Sequence, residues 1–383
     1  MMFADIIGQE KVKKHLIDSA KSGRVPHAQL FCGAEGTGKL GLAIAYAQYI
    51  CCEHPTDNDS CGTCPSCLKF RNLAHPDLHF VFPIVKKDNE TCDDYLKQFR
   101  AAVAKDHYLT NIEWISEISN ETKKGRIYDS ESGQIIKKLS LKSYEGGYKF
   151  MIIWQPENMD VGTANKILKI IEEPPAKTLM ILVSNEPDRI IGTILSRTQR
   201  VSVPPVEKEE IKKYIKNNFQ QNDDEAKYIA RVAAGSIVAA RNAAESNSAN
   251  KQHFEDFKFL MRTTWGIRNY STLDKKGDAL IDLRKFAEAM AKNSRNHQIE
   301  FLRYAQKMIR ENFIYNFHNE NLNYLAPFEK EFSSKFSPFI NEGNVIGIST
   351  CLGEAERSIA QNGQSKIIFT DLALKMIMLL KTN

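Results

Sequence analysis

Over the first 205 or so residues, short apolar runs alternate with stretches whose apolar residues recur every three or four positions. The runs 29–32, 78–82, 150–154, 179–183 and 200–203 predict strands, the last four being β-rich and bounded by turn formers. Strands that alternate with helical pattern predict a parallel α/β sheet. Between Lys86 and Gly125 the chain turns polar, with some helical spacing, and reads as an insertion. Pro204 and Pro205 close the sheet pattern, because two prolines continue neither a strand nor a helix.

Beyond Pro205 the period is helical. Residues 206–218 and 224–244 predict a small helical unit, broken near Gly235-Ser236. Leu280, Leu283, Phe286, Ala287 and Met290 share one helix face, Ile299, Leu302, Ala305 and Ile309 another, and 372–380 is strongly apolar. There is no internal repeat and no low-complexity tract. The expected layout is an α/β domain over 1–205, a helical lid over 206–248 and an all-helical domain over 249–383.

Composition narrows this. With 383 residues, 42% hydrophobic and 26% charged, the chain can build substantial cores. A net charge of +5 neither requires nor excludes a nucleic-acid partner. The opening MMFADIIGQEKVKKHL lacks the apolar segment and cleavage site of a secretory signal, and no run approaches the ~18 apolar residues of a membrane span. A cytoplasmic protein is expected. The lysine pairs at 86–87, 123–124 and 137–138 read as solvated surface.

Two motifs carry chemistry. Gly33-Ala34-Glu35-Gly36-Thr37-Gly38-Lys39-Leu40 follows a predicted strand and opens a predicted helix. Gly33, Gly36, Thr37, Gly38 and Lys39 fit a loop whose amides cradle phosphates. The magnesium-binding hydroxyl expected next is replaced by Leu40. The later strand ends in Trp154-Gln155 where an ATPase needs carboxylates, with Glu157 two residues on. Hydrolysis here is not expected. The second motif is Cys52-x8-Cys61-x2-Cys64-x2-Cys67, four thiols at zinc-ligand spacing, with Gly62 and Pro65 suited to the intervening turns. Cys51 competes with Cys52 for the first place, and a redox pair is the alternative chemistry.

FADIIGQEKVKKHL, GRVPHAQLFCGAEGTGKL, the cysteine module, HPDLHFVFP, LSLKSYEGGYKFMII, ANKILKIIEEPP and ILSRTQR follow one another here in an order that resembles the bacterial clamp-loader subunits, delta-prime and tau/gamma. The resemblance covers most of 1–205 and implies an AAA+ fold with an inserted zinc module (51–67), a lid and a helical collar. It implies structural Zn2+ on Cys52, Cys61, Cys64 and Cys67, and leaves open whether ATP binds. The departures at Leu40, Trp154 and Gln155 resemble the delta-prime branch, as does the absence of a sensor arginine after Gly235-Ser236. That branch implies an ATPase-deficient stator presenting Arg197, beside Ser196, as an arginine finger to a neighbouring motor subunit. Implied partners are tau/gamma, delta, the sliding clamp and primer-template DNA, with no membrane. An active tau/gamma-like ATPase and a purely structural zinc scaffold are the alternatives. A zinc-finger DNA binder is disfavoured because only Lys69 and Arg71 follow the cysteines on 68–74.

Overall fold

The structure, a computed structural model, describes residues 1–86, 90–119, 125–219, 221–319 and 322–380, without the side chains of 247 and 248. Lys87, Lys123 and Lys124, and with them part of the 86–125 stretch, lie outside the described residues. The chain divides into two units, Met1–Gln220 with Ile229–Asn242, and Gln221–Tyr228 with Ala243–Asn383.

The first unit is built on five parallel strands: β1 (Ala28–Cys32), β2 (Leu78–Val81), β3 (Lys149–Trp154), β4 (Thr178–Ser184) and β5 (Gln199–Ser202), in the order β2-β3-β4-β1-β5. Every residue of β1, β3 and β4 is buried, as expected of parallel strands covered on both faces, and this explains why they read as continuous apolar runs. The covering helices are α1 (Glu10–Lys21), α2 (Lys39–Cys51), α3 (Pro65–Arg71), α4 (Leu96–Lys105), α5 (Asn111–Ile118), α6 (Ser130–Ser140), α7 (Val161–Glu172), the single turn α8 (Gly192–Leu195) and α9 (Lys208–Phe219). Helix α2 is buried along almost its whole length and is accordingly apolar all round. The register sets Cys32 beside Ser184 and Trp154 beside Val183, so the carboxyl ends of β1, β3 and β4 lie level.

The polar stretch after Lys86 belongs to this core. Thr110 caps α5, its hydroxyl accepting from the Glu113 amide while the Glu113 carboxylate accepts from the Thr110 amide. Phe99 stacks on Phe82 with ring centres 4.0 Å apart, and Trp114 meets both edge-on at 5.1 and 5.2 Å. The Trp114 indole donates to the Pro83 carbonyl at 2.7 Å. A few large apolar residues among many polar ones suffice to dock two helices.

Helices α10 (Asp223–Val232) and α11 (Ile237–Glu245) straddle the division between units. The second unit holds α12 (Asn247–Asn269), α13 (Leu273–Lys292), α14 (Arg295–Tyr315), α15 (Lys330–Phe336), α16 (Val345–Ala360) and α17 (Ser365–Leu379). Its core gathers Phe257, Phe301, Ile309, Leu352, Phe369 and Met376. Buried Glu329 accepts from the Tyr304 hydroxyl at 2.5 Å and the Ala326 amide at 2.6 Å, so its carboxylate is satisfied within the core. Among the described residues no helix is long and apolar enough to cross a membrane.

Trp114→Ala should destabilise the first unit by about 3–5 kcal/mol, the usual cost of deleting a fully buried tryptophan. Urea unfolding followed by circular dichroism reads this; a change below about 1 kcal/mol would show that the insertion does not pack on the sheet.

Candidate functional site

Gly33 leaves the end of β1 so close to the next segment that a Cβ there would lie 2.2 Å from the Val203 carbonyl oxygen. Gly36 and Gly38 have φ of +79° and +87°, a backbone that glycine adopts without strain. The loop is then fastened from three sides. The Gln9 amide donates to Thr37 O at 3.3 Å and Pro204 O at 2.7 Å, the Ile237 amide donates to Gly36 O at 2.9 Å, and Thr37 Oγ1 donates to Ala34 O at 2.9 Å. Lys39 Nζ, buried at the start of α2, turns back onto Ala34 O at 2.5 Å and Thr37 Oγ1 at 3.4 Å. Burial pulls its ammonium down to about 8, against the opposing pull of Glu157 and then Glu35.

The sequence gives no sign of what lies above this loop. Residues of the polar insertion cover it: His107, Tyr108 and Leu109 join Glu35, Trp154, Val183 and Asn185 around a cavity of ≈ 20 Å³. The Tyr108 hydroxyl accepts from the Ile7 amide at 2.9 Å, and its ring would lie 3.3 Å from a Cβ on Gly38. Arg241 of α11 pairs with Asp106 and, at 2.5 Å, with Glu113, tying α11 to both ends of this segment. Such a cavity holds about one water.

At the strand end, Trp154 is buried against Phe99 with ring centres 5.7 Å apart, and Gln155 takes a left-handed φ of +56°. The Gln155 side chain accepts from Asn158 Nδ2 at 3.0 Å. Glu157 reaches the edge that Trp154 and Gln155 leave without acids: its Oε1 accepts from the amides of Asn185 at 2.9 Å and Glu186 at 3.3 Å, and its charge is the largest favouring the Lys39 ammonium. Its spacing from the strand concealed this role.

Cys52, Cys61, Cys64 and Cys67 converge with all four sulfurs within 4.8 Å of one another. The sulfurs of Cys61 and Cys67 are 3.9 Å apart, against about 3.8 Å for the edge of a tetrahedron with Zn–S bonds of about 2.3 Å. Backbone amides donate to the sulfurs: Cys61 N to Cys52 at 3.2 Å, Cys64 N to Cys61 at 3.3 Å and Cys67 N to Cys64 at 3.5 Å. Amides of Thr63 and Cys64 pull the Cys61 thiol down to about 6, which favours the thiolate a metal requires. Cys64 caps α3, and Pro65 at its first position fixes the turn. Cys51 stands outside the cluster, its thiol pushed up to about 12 by burial. The donor set fits a four-coordinate thiophilic ion.

Arg197 follows the turn α8 and precedes β5, whose Gln199 pairs with Gln29 at the start of β1. It therefore stands at the amino edge of the sheet, the length of a five-residue strand, about 17 Å, from the glycine loop at the carboxyl edge. Its guanidinium pairs with Glu172 Oε1 at 2.5 Å and donates to Thr193 O at 3.1 Å and Ser196 Oγ at 3.2 Å. Both partners of the ion pair are well exposed, 40% and 45%, so it is worth about 0–1 kcal/mol and is easily exchanged.

Because the folded state lowers the affinity of Lys39 for its proton, the cost of its charge is full below pH 8 and fades as pH rises toward the unfolded value of 10.5. Lys39→Met should therefore stabilise the first unit at pH 7 by about 1–3 kcal/mol, with the gain shrinking toward pH 10. A gain that is absent at pH 7 or constant with pH in chemical denaturation would contradict this placement of the lysine.

Comparison with known proteins bears on the first half of the chain. A family model described as DNA polymerase III, delta subunit, matches residues 8–207. The delta' subunit of DNA polymerase III from Bacillus subtilis is 30% identical over 200 residues, 52% of this chain and 48% of that protein. The tau subunit of the same organism is 27% identical over 198 residues, 52% of this chain and 28% of that protein. The delta' subunit from Escherichia coli is 25% identical over 225 residues, 59% of this chain and 56% of that protein. This chain thus spans about half the length of the delta' proteins it matches, and less of tau. With the glycine loop at the end of β1 and the match across the whole sheet, the chain belongs to the family of DNA polymerase III clamp-loader subunits that includes delta', tau and gamma.

Proposed function

We propose that this chain serves as the delta-prime-like stator of a bacterial clamp loader. It would not hydrolyse ATP itself but would supply Arg197 as an arginine finger to an adjoining motor subunit. The observation that carries the reading is the division of the sheet into two ends. The carboxyl edge carries Trp154 and Gln155 where an ATPase needs carboxylates, and it is filled by Trp154, Tyr108 and Leu109. The amino edge displays Arg197 on a surface ion pair, too far from its own loop to act there. A guanidinium that leaves Glu172 can meet the γ-phosphate of a nucleotide held by another subunit and stabilise its developing charge. Ser196 helps by accepting from Arg197 and donating to Thr193 O at 3.1 Å, which braces the turn. Where motor subunits carry a sensor arginine in the lid, this chain buries Ile237 and Val238.

The remaining parts follow from the same reading. Zn2+ on Cys52, Cys61, Cys64 and Cys67 would be structural, because four protein thiolates leave no position for water. Residues 1–205, 206–248 and 249–383 would serve as AAA+ body, lid and collar. The partners would be tau/gamma, delta, the sliding clamp and primer-template DNA in the cytoplasm.

Three experiments bear on this. Cys61→Ser or Cys64→Ser should release the cysteine-bound zinc and expose the 51–71 segment to limited proteolysis, since the binding energy of a structural metal is folding energy. Elemental analysis finding no zinc in the freshly purified chain would overturn the assignment. In a complex reconstituted with tau/gamma, delta, clamp and primed DNA, Arg197→Ala should assemble normally. It should lower turnover at the one affected site by about 10³–10⁵, with a partial fall in total ATPase and a larger fall in clamp loading. Equal loading by wild type and variant would leave the chain a scaffold. ATP turnover by the isolated chain that Lys39→Met abolishes would make it a motor subunit instead.

A further inference from the structure

Within the second unit, His253 and Asp256 stand one helical turn apart on α12, and His297 stands in the first turn of α14. A ligand atom from each lies within 4.8 Å of the other two. His253 is 2% exposed, and neither of its ring nitrogens has a hydrogen-bond partner. A buried imidazole left so is costly, and cores rarely keep one without a use. From this group we propose a second metal site, in which His253, Asp256 and His297 bind a divalent ion of the zinc class and clip α12 to α14.

The chemistry of the group suits such an ion. Two imidazoles and one carboxylate are borderline ligands that zinc and cobalt accept, and three protein donors leave a fourth position for water. The His253 and His297 rings are 4.7 Å apart at 48°, too close for both to carry charge comfortably, so neutral, metal-ready imidazole is favoured. Burial, and then the proximity of His297, lowers the affinity of His253 for a proton, while Glu300 opposes. Burial raises the Asp256 carboxyl, with Glu255 adding to the rise and Gln252 and His297 opposing it. A cation among the three would offset that desolvated charge. Zinc bonds of about 2.0–2.1 Å require ligand atoms about 3.4 Å apart. The half-buried side chains of Asp256 and His297 can close that difference by rotating, and α14 needs no movement because Ser294 Oγ already caps its first turn by accepting from the His297 amide at 3.3 Å. Around the site, Phe301 and Tyr304 stand 6.1 and 6.0 Å from the His253 ring and keep it dry on that side.

The proposal depends neither on the clamp-loader reading nor on the cysteine cluster. The test is to strip the full chain of metal and titrate it with Co2+ and, separately, with Zn2+. Cobalt bound by thiolates shows sulfur-to-metal charge-transfer absorption, and cobalt on two histidines and a carboxylate does not. The expected result is uptake of one equivalent beyond that which develops the sulfur band. This equivalent should be lost in His297→Gln and in Asp256→Asn, both at half-buried positions and checked for wild-type circular dichroism. Zn2+ should raise the Tm of the second unit in wild type and not in either variant. A wild-type chain that saturates with the sulfur-bound equivalent alone overturns the proposal, and this holds even where a variant fails to fold. Folded variants that retain the additional equivalent overturn it equally.

Discussion

A parallel sheet buried on both faces has only its two ends left for chemistry, and the rest of the first unit is arranged around that restriction. The carboxyl ends of β1, β3 and β4 are level, so whatever follows them shares one small volume: the glycine loop, Gln155 and Glu157, and Asn185. Parallel strands also place every residue that precedes a strand at the far end. Arg197 is there because β5 pairs with β1 in the same direction, and no side-chain motion brings it to its own glycine loop. One topological fact thus places the glycine loop at one end of the sheet and Arg197 at the other.

The cysteine module meets a different restriction. Between α2 and β2 the chain has little apolar material of its own: α3 is seven residues long and buries Phe70 and little else of size. A segment so short cannot fix its fold by burial alone. Four converging sulfurs, three of them accepting from backbone amides, stand where a core is missing, and the amides of Thr63 and Cys64 draw the Cys61 thiol toward the ionised form. Gly62 turns the knuckle with a φ of +72°.

All five strands, and helices such as α13, α14 and α17, were legible in the sequence, because apolar runs and periodic apolar faces survive translation into residue types, whereas α12 and α16 were not foreseen. The 29–32 and 150–154 runs, for example, end within a residue of β1 and β3. The cysteine cluster was legible for the same reason, spacing being local, although Cys51 and Cys52 were separable only by geometry. What could not be read was contact across the sequence. Nothing in a polar stretch marks Tyr108 as the residue that covers a loop 70 positions earlier, and Glu157 looked displaced because a left-handed turn at Gln155 hides where its carboxylate points. His253 on its own resembled any other histidine; only the meeting of α12 and α14 sets it beside His297.

The substitutions at the carboxyl edge act together rather than singly. An aspartate at the end of β3 would need water or a metal beside it, which keeps the space above the loop wet. Trp154 reverses that demand: it gains by contact with Phe99, and Phe99 in turn carries α4 onto Phe82. With α4 and α5 docked, Tyr108 and Leu109 are brought over the loop, and Arg241 holds their segment through Asp106 and Glu113. Lys39 then loses the solvent that would stabilise its charge and turns to the nearest carbonyl, Ala34, with Glu157 as the opposite charge. Each step buries surface at the carboxyl edge, so the packing of α4 and α5 on the sheet and the surroundings of Lys39 rest on the same side chains.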